Sequence, residues 1–176
     1  MSQLVVITGP IAAGKSSVAS KLADYIRDAG RAAVVLDLDD IVSKLHVPPQ
    51  NFEQSWEWAR TVHGRLIGEW LSTGVDTVIV DGPFYTARET STMMQHVANE
   101  VRVHRVLLLV PFAVALDRVA SDPSRGVSKI PSVLRTKYEE FVRDRPSIDP
   151  CDWTFDTSEC TVNDVIIAIS RELLAN

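Results

Sequence analysis

A chain of 176 residues with 45% hydrophobic and 23% charged side chains is long enough to bury a full core and falls in the range of one compact domain, residues 1–176. Its formal net charge of −5 excludes a general nucleic-acid or membrane-surface binder, which needs a basic face, so any phosphate site has to be a local basic pocket. Cys151 and Cys160 have neither the number nor the spacing of a disulfide framework or metal site, and no signal peptide or membrane span is visible, so a cytoplasmic protein with structural or incidental thiols is expected.

Leu4-Val5-Val6-Ile7 reads as a buried strand. Directly after it, Gly9-Pro10-Ile11-Ala12-Ala13-Gly14-Lys15-Ser16 fits G-x-x-x-x-G-K-S/T, and Val18, Leu22 and Ile26 then carry a helix to Gly30. Between strand and helix this spacing makes a phosphate cradle. The glycines let successive backbone N–H groups turn into one concave nest, and the helix start adds its positive dipole end. The Lys15 ammonium reaches the outer phosphates, the Ser16 hydroxyl ligates the accompanying magnesium, and Ser17 lies on the same turn. The motif therefore predicts binding of a nucleoside triphosphate with Mg2+.

A second strand, Ala32 to Leu36, ends in acidic residues. From Phe52 to Ser72 the positions Ala59, Val62, Leu66, Ile67, Trp70 and Leu71 predict the apolar stripe of a long helix closed by Gly74. Thr77 to Val80 is a third strand, Thr86 to Asn99 a helix, and Val103 to Val110 a fourth strand. Pro111 opens a helix through Val119; a polar loop follows, then a helix from Pro131 to Val142 and a last strand, Trp153-Thr154-Phe155. Thr161 and Asp164 form a capping box for a final helix through Leu173. Apolar strands alternating with helices predict an α/β fold, a parallel sheet covered on both faces. Ligands of such sheets bind at the carboxyl ends of the strands, which singles out the residues just after each strand.

Two of those places are acidic: Asp37-Leu38-Asp39-Asp40 after the second strand and Asp81-Gly82-Pro83 after the third. Phosphoryl transfer to a hydroxyl needs a placed magnesium ion, an oriented acceptor and charge neutralisation, and a carboxylate at the acceptor oxygen takes its proton. In a still-extended segment Asp37 and Asp39 point to opposite sides, one to the metal and one to the acceptor, while Asp40 caps a helix beginning near Ile41. Asp81 suits a metal contact through water; a turn aspartate is its other account. Arg118 lies just before, and Arg125 within, a loop, about residues 121–130, with the composition of a lid. Trp56 and Trp58 point to nearly opposite sides of the long helix, so one of them lines a cavity toward the P-loop, with core packing or an intermolecular contact as the other account. His63 is read as a packed histidine, and Phe84 as a pocket wall or turn packing.

With these residues in place, the chain resembles the small P-loop kinases of the nucleoside-monophosphate-kinase-like group, in particular shikimate-kinase-like and chloramphenicol-phosphotransferase-like members. The resemblance rests on Gly9 to Ser16, on the pair Asp37 and Asp39, on Asp81-Gly82, and on Asp156-Thr157-Ser158 after the last strand. It implies a P-loop NTPase three-layer sandwich with strand order 2-3-1-4-5 and a lid. It further implies ATP as the nucleotide, Arg118 over the adenine with Thr157 and Ser158 nearby, Arg125 in the lid, and Asp39 as base. Residues 40–73 become the acceptor-binding helical region, with Asp39, Trp56, Arg60, Gly82 and Phe84 facing the acceptor. The chain departs from shikimate kinases at Asp81-Gly82-Pro83, where they carry a glycine-rich turn, and at Val42-Ser43-Lys44, where an arginine is expected. The expectation is an ATP-dependent phosphotransferase acting on a small-molecule hydroxyl, a monomer or homodimer with no nucleic-acid or membrane partner. A nucleoside or nucleotide kinase and a nucleotide-binding regulatory module without transfer activity are the alternatives.

Overall fold

A computed structural model describes residues 2–123 and 129–175. Its centre is a parallel sheet of β1 (Gln3–Thr8), β2 (Ala33–Asp37), β3 (Thr77–Asp81), β4 (Arg102–Leu109) and β5 (Trp153–Asp156), in the order β2-β3-β1-β4-β5. The order and the parallel pairing agree with the expected P-loop kinase topology. Side chains of a strand alternate between faces, and β1 shows how the sheet divides two cores. Val5 and Ile7 enter one core with Val18, Leu22 and Ile26 of α1 (Lys15–Asp28) and Val165, Ile169 and Leu173 of α7 (Val162–Leu173). Leu4 and Val6 enter the other with Ala59 and Ile67 of α3 (Phe52–Ser72) and Met93 of α4 (Ala87–Met94). Between them in the chain lie α2 (Leu38–Ser43), α5 (Phe112–Ser121) and α6 (Pro131–Asp144). Among the described residues no helix is long and apolar enough to cross a membrane.

Several local expectations hold. Gly30 and Gly74 take positive φ just past α1 and α3, and the capping box of Thr161 with Asp164 is formed. Three others are corrected. The helix after β2 begins at Leu38 instead of near Ile41, because Asp37 is its cap: Asp37 Oδ1 accepts from the Asp39 N–H at 2.7 Å, which removes Asp40 from that task. Asp37 and Asp39 therefore do not share an extended segment, and Asp39 stands in the first turn of α2.

The stripe on α3 is also different. Its buried face is Ser55, Ala59, His63, Gly64 and Ile67, whereas Val62, Leu66 and Trp70 are exposed. Glycines set this orientation by letting the neighbouring chain come close: a Cβ at Gly64 would lie 2.9 Å from the Met93 carbonyl oxygen, and one at Gly68 2.6 Å from that of His96. The same crowding accounts for α4 ending at Met94 instead of Asn99, since beyond it the chain turns against Gly68, with the Val97 N–H donating to the Met94 carbonyl.

Candidate active site

The site is built where β1 runs out. Gly9, at φ +150, passes so near β4 that an added Cβ would lie 2.1 Å from the Leu108 carbonyl oxygen, so only glycine fits there. Pro10 and Ile11 carry the turn, closed by the Ala13 N–H donating to the Pro10 carbonyl at 3.3 Å. Ala12 takes φ 63, a left-handed conformation that costs a non-glycine residue about 1 kcal/mol or more. Its carbonyl is held by the Arg118 guanidinium at 3.0 Å. Gly14, at φ +88, caps α1, and Lys15 donates from Nζ to the Gly9 and Pro10 carbonyls at 3.2 Å each. Tyr85 Oη donates to the Gly9 carbonyl at 2.8 Å. Backbone N–H groups, a helix N-terminus and an ammonium thus converge on one concave turn, the chemistry that holds phosphate oxygens.

Register brings the acidic residues to this turn. Asp37 of β2 pairs with Asp81 of β3, and Ser16 Oγ reaches both, 2.8 Å from Asp81 Oδ2 and 3.3 Å from Asp37 Oδ2. Asp81 is 1% exposed and its Oδ1 has no hydrogen-bond partner among the described residues. A buried carboxylate oxygen left unmatched, beside a second carboxylate and a hydroxyl, is an all-oxygen donor set suited to a hard divalent cation such as magnesium. Asp39 is exposed on the same rim, two residues past the Asp37 cap.

Burial, followed by the charge of Asp37, pushes the Asp81 carboxyl up from its ordinary 3.8 to about 6. Between these two values the folded chain holds a proton that the unfolded chain has lost, so stability falls as pH rises from about 4 through 6. Asp81→Asn is expected to remove that slope and to stabilise the ligand-free protein at pH 7 by on the order of 3 kcal/mol. Thermal unfolding of both proteins across this range is the measurement, and equal slopes would rule the assignment out.

Beyond the acidic rim, α3 turns Trp56 and Arg60 inward, Arg60 stacking over the Trp56 ring at 5.7 Å. The Arg60 guanidinium is in an ion pair with Glu89, which also accepts from the Tyr85 and Thr86 N–H groups and so completes the capping box of α4. Trp56 Nε1 and Arg60 Nε are buried without hydrogen-bond partners among the described residues. Trp58, on the opposite side of the helix, is 45% exposed. Gly82 is buried and lies against Leu38 and Phe84. Phe84 is 2% exposed and stacked on His63, so its ring belongs to the core and backs this region from behind. His63 is fully buried, with Nε2 at 3.0 Å from the Leu36 carbonyl, and burial lowers its pKa.

On the other side of the P-loop a cavity of about 630 Å³ is lined by Ala12, Gly14, Ser17, Arg118 and Thr157, and by Cys160, Thr161, Val162 and Val165 at the start of α7. Arg118 is fixed across its floor, donating to Thr157 Oγ1 at 2.9 Å and to the Thr157 carbonyl at 2.6 Å. Ser158 stands outside this lining, its N–H and hydroxyl both given to Asp156 Oδ1. Arg125 lies outside the described residues. Cys160, a free thiol, forms part of the wall. No motif marks Cys160, Val162 and Val165; they reach the cavity only because α7 packs against α1.

Comparison with solved structures places the fold among small-molecule kinases. A shikimate kinase from Acinetobacter baumannii, solved with shikimate, aligns with a TM-score of 0.63 at 20% identity over 100% of this chain and 95% of its own. The APS kinase CysC of Mycobacterium tuberculosis, solved with AMPPNP and APS, gives 0.66 at 18% identity over 99% and 98%. A gluconokinase from Sinorhizobium meliloti gives 0.59 at 18% over 98% and 90%. Comparison with curated proteins finds no match. At these identities the likeness is one of fold. The sequence profile of the AAA domain family AAA_33 matches residues 4–128, the span that carries the P-loop, both acidic strand ends and Arg118, and the chain belongs to that family.

Proposed function

We propose that this protein transfers the γ-phosphoryl group of ATP to a hydroxyl of a small molecule, with Mg2+ as cofactor. The observation that carries the reading is the meeting of Lys15 and Ser16 with Asp37 and Asp81 at one sheet rim, with Asp39 beside them. In this reading the P-loop amides and Lys15 bind the triphosphate, and the base occupies the cavity walled by Arg118, Thr157 and Cys160. Ser16, Asp37 and Asp81 would hold magnesium, which when bound neutralises phosphate charge. Asp39, exposed and flanking that group, takes the proton of the acceptor hydroxyl as its oxygen bonds to phosphorus. Arg125 is assigned to the lid and to charge neutralisation over the moving phosphoryl group.

The acceptor is assigned to the space bordered by Asp39, Trp56, Arg60 and Gly82. Arg60 already has its charge matched by Glu89, which weighs against an acceptor phosphate as its partner and so against a nucleoside monophosphate. The test is consumption of magnesium ATP in the presence of pooled hydroxylated metabolites, antibiotics and nucleoside monophosphates, with mass spectrometry of the products. A phosphorylated alcohol is expected. Phosphorylated nucleoside monophosphates would replace this reading by a nucleotide kinase, and nucleotide binding with no product from any acceptor would replace it by a regulatory module.

A further inference from the structure

The outer face of α3 presents a feature that the nucleotide and acceptor sites leave unused. Trp58, Val62, Leu66 and Trp70 follow one another at intervals of four residues, and they are 45%, 45%, 37% and 41% exposed. Isolated apolar side chains on a surface are ordinary, but four in an unbroken row, with a tryptophan at each end, form one ridge of a helix. The next ridge, Thr61, Arg65, Glu69 and Thr73, carries one charge of each sign at its middle. Arg65 and Glu69 are both exposed, and neither has an ion pair among the described residues.

We propose that α3 is the interface of a homodimer, in which the Trp58-Val62-Leu66-Trp70 ridge of one chain packs beside the same ridge of a second copy across a two-fold axis. A two-fold interface needs a patch complementary to itself, and this one is. An axis through the rhombus of Val62, Arg65, Leu66 and Glu69 sets Leu66 against the partner helix near its own counterpart. The same axis brings each Arg65 within reach of the opposite Glu69, so the pair forms twice and every one of these exposed charges is matched once. Rows spaced by four residues interlock at a crossing of about −50°, the commonest helix pairing in globular proteins. The row leaves on the order of 350 Å² of apolar surface exposed on each chain. With Thr61, Arg65, Glu69 and Thr73 at its rim, two copies cover roughly 1,000 to 1,200 Å² in total, the lower end of specific interfaces. A reversible dimer of micromolar affinity is therefore expected.

Sedimentation of the full chain from about 1 to 100 µM should show a monomer–dimer equilibrium. Leu66→Glu and, separately, Val62→Arg should each weaken it by at least about tenfold while leaving the circular dichroism spectrum and nucleotide binding unchanged. Arg65→Glu should weaken it as well, and the exchange Arg65→Glu with Glu69→Arg should restore it, because the two-fold arrangement depends on opposite signs and not on which residue carries which. A wild-type chain that stays monomeric throughout, or a dimer indifferent to both Leu66→Glu and Val62→Arg, overturns the proposal. A dimer lost in those variants but not recovered by the charge exchange overturns the two-fold register, and a partner of another kind binding the ridge of a monomeric chain would replace the second copy.

Discussion

Asp39→Asn is expected to lower turnover with the acceptor by roughly 10²- to 10⁴-fold while changing nucleotide affinity little. The separation of the two effects follows from position. Asp39 is exposed in the first turn of α2 and its backbone N–H, not its carboxylate, serves the Asp37 cap, so the amide side chain leaves the helix start and the Ser16 contacts in place. What is lost is an acceptor for the hydroxyl proton. Turnover within a factor of about three of wild type would remove Asp39 from the chemistry.

Lys15→Ala is expected to act on binding and transfer together, costing roughly 10³-fold or more in turnover. The ammonium rests on the Gly9 and Pro10 carbonyls at the mouth of the turn, where outer phosphates arrive. Removing it leaves the turn standing, because Tyr85 still donates to Gly9, Arg118 to Ala12, and the Ala13 N–H to Pro10. The unfolding temperature should therefore move little while calorimetric affinity for magnesium ATP falls. Full-strength nucleotide binding by the alanine variant would contradict the phosphate assignment, whereas simple unfolding would contradict the described bracing of the loop.

The phosphate turn and the strands of the sheet were legible in the sequence for a shared reason, since both are written in local patterns, whereas the strand order was implied by the resemblance alone. Gly9, Gly14 and Lys15 stand at fixed offsets because backbone geometry demands them, and β1 and β3 are short apolar runs that only a covered parallel sheet can hide. The faces of α3 were not legible in that way. Both Ala59-His63-Ile67 and Trp58-Val62-Leu66-Trp70 are rows at helical spacing, and the more hydrophobic of the two is the exposed one. Gly64 and Gly68 decide the matter by what they let approach, information that resides in α4 and the chain after it. Asp37 was missed as a cap because strand and helix abut with no connecting residue between them. The cavity wall of Cys160, Val162 and Val165 depends on contact between the two ends of the chain, which no window of sequence contains.

The contacts on Gly9 and Ala12 also bear on the thermodynamics of ligand capture. Gly9 is wedged against Leu108, its carbonyl is tied to Tyr85, and the strained Ala12 is tied through Arg118 to Thr157, contacts made wholly within the chain. Tyr85 is in turn packed edge-on against Phe141 of α6, at 5.3 Å between ring centres. The turn has therefore lost its conformational freedom during folding, and a triphosphate entering it meets amides whose ordering entropy has already been surrendered. More of the attraction between phosphate and protein then remains as affinity.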